Sequence, residues 1–121
     1  NLSTYVTGGL AQAYPNIPWL RTEIQIGGIR LNEETHRVYV DGREVELTNK
    51  EYELLLFFML NVDVVFSREQ LYERIWGWDA MGDSATVAVH INRLRKKIEQ
   101  DPANPRYIVS VWGAGYRFNL S

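Results

Sequence analysis

The spacing of apolar residues changes character twice along this chain. Over residues 23–47 they come in short runs, at 24–26, 29–31, 38–40 and 45–47, parted by Gly27-Gly28, by Asn32 to Thr35 and by Asp41-Gly42. Short β-branched runs between such breaks read as strands, and Asp-Gly between two of them is a hairpin signal. A small antiparallel sheet of four strands is expected there. From Thr48 the period becomes helical: Tyr52, Leu55, Leu56 and Met59 recur on one side, and Leu54, Phe57 and Phe58 spread the apolar cover nearly around the rod. Such a helix is expected to be central and buried on more than one side.

Two capping boxes mark helix starts. In Thr48-x-x-Glu51 and Ser67-x-x-Gln70 a hydroxyl and a side-chain carbonyl or carboxylate each satisfy an otherwise unpaired helix N–H. The second opens a helix with Leu71, Ile75 and Trp76 inward. Between the two helices Val64-Val65-Phe66 is too brief to assign. A glycine-bounded loop, residues 77–83, leads to a third helix capped by Asp83 or Ser84. On it Val87, Ile91, Leu94 and Ile98 make one apolar stripe, while Thr86, Val89, His90, Arg93, Lys96 and Lys97 fall on the other face. Residues 100–106 end it with two prolines. The last apolar alternation, residues 107–118, reads as a hairpin turned by Gly113 and Gly115, where a positive φ or a close backbone approach excludes a side chain.

The resulting order is four strands, three helices and a hairpin, an α+β fold. Helices two and three form a helix-turn-helix and the hairpin forms its wing. Residues 23–121 make that domain. Residues 1–22, with Gly8-Gly9, Pro15 and Pro18, fit no period and are expected to be a linker, an arm or a cloning-derived segment. A chain opening on Asn1 rather than methionine is expected to be a piece of something longer.

Charge sharpens the picture. The net charge of −2 conceals a division: residues 1–83 carry 7 Lys or Arg against 13 Asp or Glu, and residues 84–121 carry 6 against 2. The cations collect where a basic helix and a wing would meet the phosphates of double-stranded DNA, and the acidic remainder opposes non-specific adhesion. Arg93, at the centre of the polar face, has the reach to donate twice to guanine or once to a phosphate. Val89 and Thr86, one and two turns before it, offer methyl groups to thymine. His90, Asn92, Arg95, Lys96 and Lys97 flank that strip and are expected on phosphates, which supply affinity and register without sequence information.

Other chemistries find little support. There is no cysteine, so a disulfide framework, a thiolate zinc site and a cysteine nucleophile are excluded. Two isolated histidines and scattered carboxylates offer no catalytic constellation, no metal site and no cofactor, and the glycine-containing turn WGAGY opens no helix, so it is no dinucleotide loop. No run approaches the ~20 apolar residues of a membrane span, and nothing resembles a secretory signal; a cytoplasmic address is the default. The rival function is a winged helix used as a protein-interaction module. Such a module would be expected to lose the cations of its third helix and gain apolar residues there, whereas Arg93, Arg95, Lys96 and Lys97 are present.

Four ordered segments, LTNKEYELL (residues 47–55), SREQLYERIWG (67–77), TVAVHINRLRKKIE (86–99) and YIVSVWGAGYRF (107–118), resemble the OmpR/PhoB-type winged-helix effector domains of bacterial two-component response regulators. The likeness covers about residues 23–119. It implies that Thr86, Val89 and Arg93 face base edges, and that Arg68 and Trp76 touch the DNA backbone. Asn92 departs from the cation many relatives carry. Trp112 stands where many relatives place an arginine that enters the minor groove, which leaves the wing to pack on the sugar-phosphate edge or to use Arg117. The loop with Trp78, Asp79, Met81 and Asp83 resembles the segment through which family members contact RNA polymerase. The resemblance further implies a missing receiver domain, phosphorylated by a sensor kinase, direct-repeat operators, and a fragment that is monomeric without DNA.

Overall fold

The computed structural model describes residues 23–77 and 80–120. Trp78 and Asp79, like residues 1–22, lie outside them. The chain divides into two compact units, Asn1–Glu46 and Leu47–Ser121.

In the first unit, β1 (Glu23–Ile26), β2 (Ile29–Asn32), β3 (Val38–Val40) and β4 (Arg43–Val45) form an antiparallel sheet in sequential order. Ile26 faces Ile29 and Val40 faces Arg43, so both Gly27-Gly28 and Asp41-Gly42 are two-residue hairpin turns. Alternation puts Ile29, Leu31, Val38 and Val40 on one buried face. The four-strand expectation holds.

In the second unit the helices are α1 (Asn49–Leu60), α2 (Arg68–Trp76) and α3 (Ala85–Ile98). Both capping boxes form: Thr48 Oγ1 accepts from Glu51 N and Glu51 returns the bond to Thr48 N, and Ser67 pairs with Gln70 in the same way. The α1 helix buries Tyr52, Leu54, Leu55, Phe58 and Met59, with Leu56 and Phe57 half-buried. The stripe of α3 is buried in full, Val87, Ile91 and Leu94 at 0% exposure and Ile98 at 2%.

The undecided run becomes β5 (Val65–Phe66). It joins β6 (Ile108–Val111) and β7 (Gly115–Phe118) in a three-stranded sheet with β7 in the middle. Phe118 stacks between Phe58, at 6.3 Å, and Tyr107, at 5.7 Å, which seats the wing's base on the core. The wing is therefore a hairpin stapled along one side by β5.

Candidate nucleic-acid interface

The buried stripe of α3 dictates what its opposite face shows. Ala85, Val89, Asn92, Arg93 and Lys96 are exposed, at steps of four, three, one and three, and so form a continuous strip along the helix. Val89 is 46% exposed, an apolar side chain held out beside Arg93. Thr86 and His90 border this strip, half-buried. The helix start is settled by Asp83: its carboxylate accepts from Ala85 N at 3.0 Å and its carbonyl from Thr86 N at 3.1 Å. Ser84 already has helical backbone angles and makes no side-chain cap bond.

His90 is committed to its own helix. Its Nδ1 lies 2.8 Å from the Thr86 carbonyl oxygen, which can only accept, so Nδ1 carries a proton. Its ring meets Trp76 edge-on at 4.9 Å, and Trp76 stacks on Tyr72 at 5.6 Å. Trp76 is thus a half-buried packing element between α2 and α3. Lys50 Nζ lies 5.7 Å from the Trp76 ring and donates to the Ile75 carbonyl at 2.9 Å, where a cation favours the carbonyl end of α2. Lys50 also pairs with Glu53 at 3.2 Å, but its bond to Ile75, 25 residues away, gave no signal in sequence.

Two cations expected on phosphates have protein partners. Arg95 Nε donates to the Ile108 carbonyl at 2.9 Å and Nη2 to Ser110 Oγ at 3.1 Å, with the guanidinium over Tyr116. Burial lowers its pKa from the ordinary guanidinium value, opposed by Tyr116 and Glu99; it stays protonated. Arg95 is a strut between α3 and the first strand of the wing. Lys97 Nζ lies 2.6 Å from Glu51 Oε1, and Glu51 is 1% exposed. Lys96, Arg93 and Asn92 remain exposed at the strip.

The Glu51 carboxyl is pushed up by burial, but the Lys97 ammonium and the Thr48 N–H and hydroxyl outweigh this and hold it below the usual carboxylate range. A depressed carboxyl contributes stability that is present above its unfolded pKa of ~4.3 and is lost as pH falls through the folded value. Because the Lys97 side chain is 36% exposed, solvent screening limits the pair. Lys97→Met is expected to cost ~1–2 kcal/mol in urea unfolding at pH 7. The loss should shrink as pH falls through the lowered folded value of Glu51, because protonation removes the charge that Lys97 pairs with. A loss that stays undiminished down to acid unfolding would assign the effect to the helix end rather than to Glu51.

The remaining expected contacts separate into tip and base. Arg68, the first residue of α2, is exposed and 3.6 Å from Glu69. Trp112, in the wing turn, is 99% exposed. Arg117 sits in β7 opposite Val65 and Val109, with Nε on Asn119 Oδ1 at 2.9 Å, towards the base of the hairpin rather than its tip. In the loop before α3, Met81 is 97% exposed and Asp83 is exposed; the expected Trp78 and Asp79 fall outside the described residues. A buried acid that sequence reading overlooked, Glu99, accepts the backbone N–H groups of Arg106, Tyr107 and Ile108. Its signal was an acid at a helix C-terminus, where the macrodipole disfavours one.

The fold just described recurs among known proteins. The family model described as "Transcriptional regulatory protein, C terminal" matches residues 42–118. The alkaline phosphatase synthesis transcriptional regulatory protein SphR of Synechococcus elongatus is 52% identical over 90 residues, covering 74% of this chain and 35% of SphR. The sensory transduction protein RegX3 of Mycolicibacterium smegmatis is 46% identical over 94 residues, covering 78% of this chain and 41% of RegX3. The chain thus spans between a third and about two fifths of the length of these relatives. Among solved structures, the response regulator DrrB of Thermotoga maritima, an OmpR/PhoB homolog, superposes with a TM-score of 0.76 at 32% identity, over 91% of this chain and 49% of DrrB. The DNA-binding domain of Klebsiella pneumoniae RstA, solved in complex with the RstA box, gives a TM-score of 0.75 at 25% identity, over 84% of this chain and all of that one, 100%.

Proposed function

The chain belongs to the OmpR/PhoB-type family of transcriptional regulatory C-terminal domains, and from that premise we propose that it binds double-stranded DNA sequence-specifically and regulates transcription as the output part of a response regulator. One observation carries the reading: the exposed strip of α3, Val89, Asn92, Arg93 and Lys96, backed by a wholly buried apolar stripe. A helix so fixed offers a row of one methyl-bearing side chain, one amide and two cations to a major groove. Arg93 and Val89, with Thr86 beside them, read base edges. Lys96, Asn92 and Arg68 hold phosphates, while Arg95 and Lys97 act first within the protein. His90 reaches a phosphate through Nε2 only as the imidazolium, since Nδ1 is occupied.

In the whole protein, a receiver domain phosphorylated by a sensor kinase governs this domain in the cytoplasm, and two copies occupy direct repeats about one helical turn apart. Alone and without DNA the domain is monomeric. The loop before α3 meets RNA polymerase, a role supported by the outward Met81.

The test is selection from random duplexes followed by titration in a salt series. Wild type is expected to enrich a repeated short motif and to lose affinity steeply as salt rises. Arg93→Ala should weaken binding to that motif about 5- to 100-fold and relax preference at one base position, whereas Lys96→Ala should weaken all duplexes alike and flatten the salt slope by about one phosphate. Equal effects of the two on random DNA would remove this division of labour. Absence of enrichment and of binding even at low salt would shift the reading to a protein-interaction module.

A further inference from the structure

The segment ahead of α3 holds one side chain out between pinned neighbours. Met81 exposes 97% of its surface. On one side of it Ala80 N donates to the Gly77 carbonyl at the end of α2, at 3.1 Å. On the other, Gly82 lies so close to Tyr72 of α2 that an added Cβ would be 3.0 Å from the Tyr72 hydroxyl oxygen, and Asp83 accepts from Ala85 N to start α3. A thioether is thus presented to solvent by backbone tied to both helices. The chain has two methionines and no cysteine. Met59, the other methionine, is 4% exposed in α1. The sulfur within reach of a dissolved oxidant is therefore Met81 Sδ, and no thiol competes with it, since susceptibility follows exposure.

We propose that Met81 is a reversible oxidation site for oxidants of the peroxide class, and that its sulfoxide disengages this segment from RNA polymerase. The second half rests on the polymerase reading above and adds its regulation. With hydrogen peroxide, the Sδ lone pair attacks one peroxide oxygen and the O–O bond breaks. The departing hydroxide takes the proton of the transferred oxygen and leaves as water. The thioether is oxidised by two electrons to the sulfoxide, and the peroxide is reduced. A thiol-dependent sulfoxide reductase reverses the step, releasing the oxygen as water while two thiols become a disulfide. Methionine is a flexible apolar side chain that fits irregular partner surfaces, whereas its sulfoxide is polar and resists burial without a hydrogen bond. Oxidation therefore acts on the partner contact and leaves the buried stripe and the exposed strip of α3 as they are.

Hydrogen peroxide is the probe. Peptide mass spectrometry over a time course should find one oxygen added at Met81 about 10-fold faster or more than at Met59 in the folded chain, a gap that closes in urea. Equal rates in the folded chain would overturn the site. The oxidised chain should keep wild-type thermal unfolding and wild-type affinity for the duplex that it selects. Binding of purified RNA polymerase to the chain on that duplex is expected to weaken about 5- to 100-fold on oxidation, and to return on treatment with sulfoxide reductases for both epimers. Met81→Leu should bind polymerase as wild type does and be insensitive to peroxide. Polymerase binding that survives oxidation in full, while Met81→Ala loses it, would overturn the switch and leave the polymerase reading standing. A Met81→Ala chain that binds polymerase like wild type would overturn that reading and the switch with it.

Discussion

Glu99→Ala is expected to lower the unfolding free energy by ~3–5 kcal/mol, because it strips the acceptor from three backbone N–H groups at the start of β6. Glu99 closes α3 as its C-cap and is 7% exposed. One carboxylate oxygen accepts from Arg106 N at 2.7 Å and the other from Tyr107 N at 3.0 Å and Ile108 N at 2.9 Å. Tyr107 and Ile108 are buried, so water cannot replace the carboxylate at their amides without opening the base of β6. Glu99→Gln keeps one strong acceptor and turns the other position into a donor that faces an N–H, so it should fall between wild type and Glu99→Ala. Urea unfolding gives the energies, and amide hydrogen exchange at residues 106–108 shows whether the loss is local. A cost below about 1 kcal/mol, with those amides still protected, would mean that the strand start is held by packing alone.

The consequence reaches the proposed interface. The cluster of N–H groups around Glu99 fixes where β6 departs from α3, and Arg95 fixes the next contact up, at Ile108 and Ser110. Wing and recognition strip are thus set by two side chains of a single helix. Sequence reading saw both as part of a basic helix and its end, since charge type and periodicity are local properties. Which cation is free and which is spent on the protein depends on partners 13 residues away for Arg95 and 46 for Lys97, and no spacing rule reports that.

Local signals carried most of the architecture for the same reason. The α3 stripe, both capping boxes and the Asp41-Gly42 turn are decided within one turn of chain, and each forms as expected. The β5 strand was illegible because two residues hold no period, and its identity comes from β7, with Val65 opposite Arg117. Asp83 and Ser84 competed as caps in sequence; backbone angles decided between them, since a residue already in helical conformation cannot turn its side chain back to the free N–H groups.

The wing turn supplies a prediction in which two neighbouring glycines should behave differently. Gly113 has φ +76° with nothing within 4 Å of an added Cβ, so Gly113→Ala meets only the cost of the left-handed backbone, ~1–2 kcal/mol. Gly115 has φ +140°, and an added Cβ would overlap the Phe66 carbonyl oxygen and lie 2.8 Å from both Phe66 C and Ser67 Cα. The obstacle is backbone at the junction of β5 with α2, which cannot swing aside as a side chain can. Gly115→Ala must therefore push β7 away from β5 or distort the cap at Ser67, at an expected cost of ~3–5 kcal/mol, backbone strain and overpacking together. Chemical denaturation of the two variants side by side is the measurement. Gly115→Ala should also impair DNA binding beyond its stability loss, because the groove between Arg68 and Trp112 is bounded by the strands it displaces. Equal, small losses at Gly113 and Gly115 would show that β5 gives way freely, and that the third strand of this sheet is a contact of convenience rather than the support of the wing.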